Sequence, residues 1–202
     1  FPYTTLFRSV ERPSNEIEAS AEEKAQAAKL LLSEGIPQGR HYLVLNPGAA
    51  YGSAKRWGEK GFAEAADTLA MEFDLDVVIV GSEMERSIAE MIQNRMQSLV
   101  AVLNGKTSLE TLIGVISESS VMLTNDSGPM HIAAALGVPT VAVFGSTDHV
   151  ATSPWGPRAR VVREPVDCSP CLLRECPIDH RCMTRISASA VCIAAREVLH
   201  ER

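Results

Sequence analysis

The 202-residue sequence has no surplus of basic residues: 19 Lys and Arg stand against 25 Asp and Glu, a formal charge of −6 at pH 7. A broad cationic surface for nucleic acid is therefore excluded, and any phosphate the chain binds has to be met by local geometry. No apolar run approaches the roughly 20 residues needed to span a bilayer. The opening FPYTTLFRSVERPSNE also lacks the cationic end and long apolar core of a signal peptide, so a cytoplasmic location and a small-molecule partner are expected. Three phosphate and nucleophile motifs are missing as well. Without G-x-x-x-x-G-K-[ST], a G-x-G-x-x-G behind the first strand, or G-x-S-x-G, a P-loop NTPase, a nicotinamide dehydrogenase and a serine hydrolase have no direct support.

What is present is ordinary globular material, 46% hydrophobic and 22% charged, enough for one main domain with one substantial core. Phe1 to Ser9, FPYTTLFRS, reads like one translated frame of a sequencing-adapter oligonucleotide, so these nine residues are set apart from the fold and the natural polypeptide is expected to continue upstream of Val10. Residues 10–40 read as a polar linker and one amphipathic helix, SAEEKAQAAKLLLSEG, with an N-cap serine, early carboxylates and a closing Gly35. From residue 41 the hydrophobic period alternates. YLVLNPG, DVVIVGS, LVAVLNG, VMLTND and TVAVFG predict short buried strands, and EKGFAEAADTLAMEF, EMERSIAEMIQNRMQ, SLETLIGVISES and GPMHIAAALG predict the helices between them. Strands apolar on both faces and separated by helices predict an α/β domain, a parallel sheet covered on both sides, over 41–202. It includes a cysteine-rich loop at 165–184 and a last helix over 187–199.

Ligands of such sheets bind outside the carboxyl ends of the strands, and three strands end there in polar or glycine-containing turns. In TNDSGPMH, Ser127-Gly128-Pro129 opens a helix whose first amides form an anion site, with Gly128 admitting a close approach. Asp126 suits sugar hydroxyls, and His131 is a donor to a phosphate oxygen or a hydroxyl. The alternative is that Asp126 or Ser127 caps the helix and His131 is half-buried. In NPGAAYGSAKRW, Lys55 or Arg56 supplies charge for a diphosphate leaving group; the alternative is a solvated basic patch with Trp57 packed on the next helix. In VGSEMER, Glu83 is placed to accept from ribose hydroxyls, or to stabilise a helix N-terminus. Together the three turns describe a nucleotide-sugar site.

Cys168, Cys171, Cys176 and Cys182 are spaced C-x2-C-x4-C-x5-C with His180 among them. That pattern is compatible with a structural zinc or iron–sulfur site, with a disulfide, or with unligated thiols packing a loop. Cys192, on the last helix, is expected in the core.

NPGAAYGSAKRW, TNDSGPMHIAAALGVPTVAVFG and the tail DCSPCLLRECPIDHRCM resemble the carboxyl-terminal domain of the ADP-heptose:lipopolysaccharide heptosyltransferases, glycosyltransferase family 9, most closely the heptosyltransferase II branch. The resemblance runs over about 42–199. It implies the carboxyl-terminal half of a GT-B enzyme: a Rossmann-like sheet holding an ADP-heptose donor, and an inverting transfer of heptose to the lipopolysaccharide inner core. It further implies Lys55 near the diphosphate with Ala50 and Tyr51 in the loop before it, Glu83 on ribose and Thr107 at the adenine. Asp126, Ser127, Gly128 and His131 fall in the donor turn, Ser127 standing where some members have threonine. No cofactor is implied. The acceptor, a lipid A-linked core, and the general base, an aspartate, belong to an amino-terminal domain, as does any peripheral contact with the inner membrane. The alternatives are a non-catalytic nucleotide-sugar-binding module and a relative with another donor or acceptor.

Overall fold

A computed structural model describes residues 16–200; the adapter-like Phe1–Ser9 and the first part of the linker lie outside the described residues. The elements run in the order α1 (Ala21–Ser33), β1 (Tyr42–Asn46), α2 (Glu59–Phe73), β2 (Asp76–Ile79), α3 (Arg86–Gln93), β3 (Val100–Val102) and α4 (Leu109–Ser117). They continue with β4 (Val121–Asn125), α5 (Gly128–Ala135), β5 (Thr140–Phe144), α6 (His149–Thr152), β6 (Ala159–Arg163), α7 (Arg181–Thr184) and α8 (Ala188–His200). The six strands form one sheet in the order β3-β2-β1-β4-β5-β6, every pair parallel.

Alternate residues of the same strands feed opposite cores, as the period of two requires. Leu43, Leu45, Val77, Ile79, Leu123 and Val143 pack with α2, α3 and α8 on one face. Tyr42, Val44, Val78, Val80 and Met122 pack with α1, α4 and part of α5 on the other. Because both faces are covered, four of the strands are buried at every position and read as largely apolar runs rather than alternating ones, with Asn46, Asp76, Thr124, Asn125 and Thr140 as their buried polar residues.

α1 starts at a capping box: Ser20 Oγ accepts from the Glu23 N–H and the Glu23 carboxylate accepts from the Ser20 N–H. Its Ala27 and Leu31 lie in the second core, so the helix after the linker is part of that face. α1 and α4 cross closely at Gly114, where any Cβ would overlap the Glu23 carbonyl.

Four elements differ from the sequence expectation: the short helices α6 and α7, which no predicted helix covers, and α3 and β6. α3 is preceded by a 3-10 turn, Glu83–Glu85, and ends at Gln93 rather than Gln97, because the N–H groups of Gln97 and Ser98 donate to the Asp67 carboxylate instead of continuing the helix. The strand β6 has no counterpart among the predicted ones. As an edge strand it is half-exposed throughout and carries Arg160 and Arg163, so it shows no apolar run.

The cysteine-rich segment is a loop over the end of the sheet, tied down where Cys182, Met183 and Ile186 enter the first core. All five cysteines are free thiols. Among the described residues no group of three or more His, Cys, Asp or Glu is arranged to hold a metal ion, so the zinc and iron–sulfur expectation finds no support in the geometry. Cys168, Cys171, Cys176 and Cys182 instead border a small cavity of about 70 Å3.

Two outcomes follow from this packing. Gly114→Ala normally gains about 1 kcal/mol of helix propensity, but the overlap with α1 is expected to lower stability by about 1–3 kcal/mol in denaturant unfolding; a stabilised variant would contradict the α1–α4 crossing. Burial pushes the Cys182 and Cys192 thiols up in pKa, Cys182 also through the neighbouring Cys168, Cys171 and Cys176. Since the thiolate is the reactive form, mass spectrometry after brief alkylation near pH 8 should show exposed Cys168 modified well before Cys182 and Cys192.

Candidate functional site

The order of the strands reverses between β1 and β4, and a cavity of about 530 Å3 opens there at the carboxyl edge of the sheet. Four chain segments wall it: the loop after β1, the turn after β2, the start of α4, and the β4–α5 turn.

The loop after β1 is held to β4 by a buried amide. Asn125 Nδ2 donates to the Pro47 carbonyl at 2.7 Å, while its Oδ1 accepts from the Trp57 N–H at 3.0 Å. Trp57 in turn donates its indole N–H to Ile186 O at 3.0 Å and meets Phe62 edge-on at 4.9 Å, which anchors the far end of the loop in the core. Between these anchors Ala50, Tyr51 and Lys55 face the cavity, whereas Arg56 is not among its lining residues.

Lys55 Nζ donates to Asp126 Oδ2 at 2.7 Å, and Thr147 Oγ1 donates to the same oxygen at 2.6 Å. The side chains of Lys55 and Asp126 are only 15% and 5% exposed, so this ion pair is largely withdrawn from water. Neither Asp126 nor Ser127 caps α5. Ser127 is the N-cap residue by position, yet its side chain makes no capping bond; its Oγ accepts from Asn46 Nδ2 at 2.6 Å and lies 3.2 Å from Thr124 Oγ1. The first turn of α5 thus presents its amides uncapped by that side chain, and Gly128 has open space where a Cβ would stand.

Opposite, the acid on the cavity wall is Glu85. It closes a capping box with Ser82 and presses against Gly48, where any Cβ would overlap its carboxylate. Glu83, the acid expected on ribose, lies outside the lining. It is bound by Arg86 at 2.7 Å to both carboxylate oxygens, which holds its pKa below the usual range, and it leans on Gly105. Arg86 also donates to Asn104 O at 2.6 Å, so Glu83 serves to join the turns after β2 and β3.

Thr107 lines the cavity beside Ser108, Leu109 and Leu112. Met84 and Leu109 are strongly exposed apolar side chains among these lining residues. His131 is exposed on α5 and is not part of the wall. The structure therefore brings Ala50, Tyr51, Lys55, Thr107, Asp126, Ser127 and Gly128 together and leaves Glu83 and His131 outside. Glu85 and Thr147 were missed by sequence reasoning. The S-x-x-E spacing of Ser82 and Glu85 marks a side chain folded back over the strand end, and Thr147 follows β5 in another polar strand-end turn.

The family Glycosyltransferase family 9 (heptosyltransferase) matches residues 4–181. A lipooligosaccharide heptosyltransferase 2 of Campylobacter jejuni is 36% identical over 168 residues, 81% of this chain and 53% of that protein. Among solved structures, an E. coli ADP-heptose lipopolysaccharide heptosyltransferase II superposes with a TM-score of 0.74 at 28% identity, covering 91% of this chain and 53% of that one. A glycosyl transferase family 9 structure from Veillonella parvula gives 0.78 at 27%, covering 93% and 54%. The chain spans about half the length of these relatives. With fold, strand-end turns and family match in agreement, the chain belongs to glycosyltransferase family 9, the heptosyltransferase family.

Proposed function

We propose that the cavity binds an ADP-activated heptose and that the chain is the donor-binding half of a heptosyltransferase acting on the lipopolysaccharide inner core. The observation that carries the reading is that the Lys55 ammonium and the uncapped start of α5 at Gly128 line one cavity at the point where strand order reverses. The names of the relatives, an ADP-heptose lipopolysaccharide heptosyltransferase II and a lipooligosaccharide heptosyltransferase 2, supply the substrate class.

In this reading the diphosphate lies between Lys55 and the α5 amides, and the adenine rests on the apolar patch of Met84, Leu109 and Leu112 beside Thr107. Glu85 accepts from the ribose hydroxyls in place of Glu83. Both hydrogen bonds of Asp126 fall on Oδ2, which leaves Oδ1 for a heptose hydroxyl. Ala50 and Tyr51 cover the sugar-phosphate linkage. During transfer the acceptor hydroxyl oxygen forms the new bond to the anomeric carbon as the carbon–oxygen bond to diphosphate breaks. The electron pair leaves on the β-phosphate, where Lys55 and the amides stabilise it. The acceptor proton goes to a general base of the full-length enzyme, contributed with the acceptor site by the other half. The inverting course and the weak activity of this chain alone are part of the same proposal, as is action at the cytoplasmic side of the inner membrane. Among the described residues no helix is long and apolar enough to cross a membrane.

Calorimetric titration tests the assignments. Lys55→Gln, which keeps a donor for Asp126 but removes the charge, is expected to weaken ADP binding by about 10-fold or more, the worth of a charge-assisted hydrogen bond. Glu85→Gln should weaken ADP several-fold and Glu83→Gln should leave it unchanged; the reverse order returns the ribose contact to Glu83. With the diphosphate charge met by Lys55 and backbone amides, EDTA should leave ADP affinity unaltered, and loss of binding would assign that charge to a divalent cation.

A further inference from the structure

The cysteine-rich loop has no part in lining the large cavity, yet it makes an unusual set of bonds to the segments that build it. Ala54, the residue before Lys55, has both of its backbone polar groups held by this loop. Its N–H donates to Arg174 O at 2.9 Å, and its carbonyl accepts from His180 Nε2 at 2.9 Å. Since a carbonyl only accepts, the imidazole carries its proton on Nε2. Tyr51 donates its hydroxyl to Leu172 O at 3.0 Å, and the Arg174 guanidinium stands 5.1 Å from the Tyr51 ring centre. Gly52 fits only as glycine, because a Cβ would overlap the Arg174 carbonyl.

The same loop grips a second segment. Ser169 Oγ donates to Gly145 O at 2.6 Å and the Leu172 N–H donates to Ser146 O at 2.8 Å. Thr147, the next residue of that turn, is the other partner of Asp126. Both groups that hold the Asp126 carboxylate, Lys55 and Thr147, are therefore carried on backbone that the cysteine loop pins. His180 adopts a left-handed backbone, φ +55°, uncommon for a residue with a side chain. A conformation of that kind persists where its surroundings enforce it, and here it aims the ring at Ala54.

We infer that the cysteine-rich loop is a clamp setting the position of the Lys55 ammonium, with His180 as its positioning residue. A lysine on a mobile loop would have to be ordered when the anion arrives, lowering affinity; a lysine on a clamped one is already in place. The inference rests on the reading that Lys55 faces the donor diphosphate.

The test is ADP titration of the whole chain in a double-substitution cycle, with thermal melts confirming that each variant is folded. His180→Ala is expected to weaken ADP binding about five- to tenfold, in line with loss of a positioning hydrogen bond. His180→Gln should recover most of this, since its amide nitrogen reaches the same carbonyl while bearing the same backbone strain. In the Lys55→Gln background, His180→Ala should add less than about twofold, because the group it positions has lost its charge. Gly52→Ala, which forces the loop off Arg174, should follow the same pattern if His180→Ala does not fold. Equal losses for Ala and Gln at position 180, an equal loss in both backgrounds, or unchanged affinity on His180→Ala would overturn the clamp. Failure of the underlying reading has a different signature: Lys55→Gln alone would leave ADP affinity unchanged, and the clamp would fall with it.

Discussion

A carboxylate taken out of water has to be paired, and Asp126 is the carboxylate around which this sheet edge is organised. It sits where β4 gives way to α5, with one oxygen shared by the Lys55 ammonium and the Thr147 hydroxyl. Those partners come from the loop after β1 and the turn after β5, the strands on either side of β4. Satisfying one buried charge thus draws three strand-end segments together, and two of them, the loop after β1 and the β4–α5 turn, wall the cavity with the turn after β2 and the start of α4. The neighbouring Asn125 makes the same join through neutral groups, donating to Pro47 and accepting from Trp57. Consecutive residues at the end of one strand, a buried amide and a buried acid, set both the height of the Lys55 loop and the direction of its side chain.

Much of this was legible because a parallel sheet covered on both sides writes itself as short apolar runs, and the chain offers them at β1, β2, β4 and β5. The rule that ligands gather at the carboxyl ends then selected the turns holding Lys55, Asp126 and Gly128 without any structure. What stayed hidden was hidden for physical reasons. β6 is an edge, free to carry arginines. In Glu83-Met84-Glu85 two acids are separated by a single residue, and only the tight 3-10 turn decides that the second faces the cavity while the first pairs with Arg86. His131 lies on the right helix but on the side turned to solvent, a matter of helical phase that the motif alone does not convey. The cysteines drew attention as ligands, while the groups of that loop which grip the segments beside the cavity are the His180 ring, the Ser169 hydroxyl, the Arg174 guanidinium and main-chain groups of Leu172 and Arg174, to which composition is blind.

The glycines of the site show the same division between what a sequence announces and what packing requires. Gly128 has open space where a Cβ would stand. Gly48 and Gly52 are crowded instead, one by the Glu85 carboxylate and the other by the Arg174 carbonyl. They are small so that protein groups, not a ligand, approach the loop. The loop after β1 is consequently shaped from both sides: from the cavity side by the turn after β2, and from the other by the cysteine-rich loop.

Charge balance explains why such a loop needs this much support. Asp126 and Glu85 give the cavity wall two carboxylates, and the nucleoside diphosphate proposed for it would add more negative charge, so in that reading Lys55 has to serve an internal acid and an external anion together. An ammonium has three donors. One is spent on Asp126 at 2.7 Å, and the others can meet phosphate oxygens only if the nitrogen stays where the acid holds it. A swing toward the ligand would abandon a buried carboxylate, which is strongly unfavourable, whereas the amides of α5 add attraction without adding a mobile group. The arrangement that satisfies both demands is a lysine fixed in advance between Asp126 and the helix start. Its position has to come from the backbone beneath it, and that backbone is the one held by Asn125, Arg174 and His180.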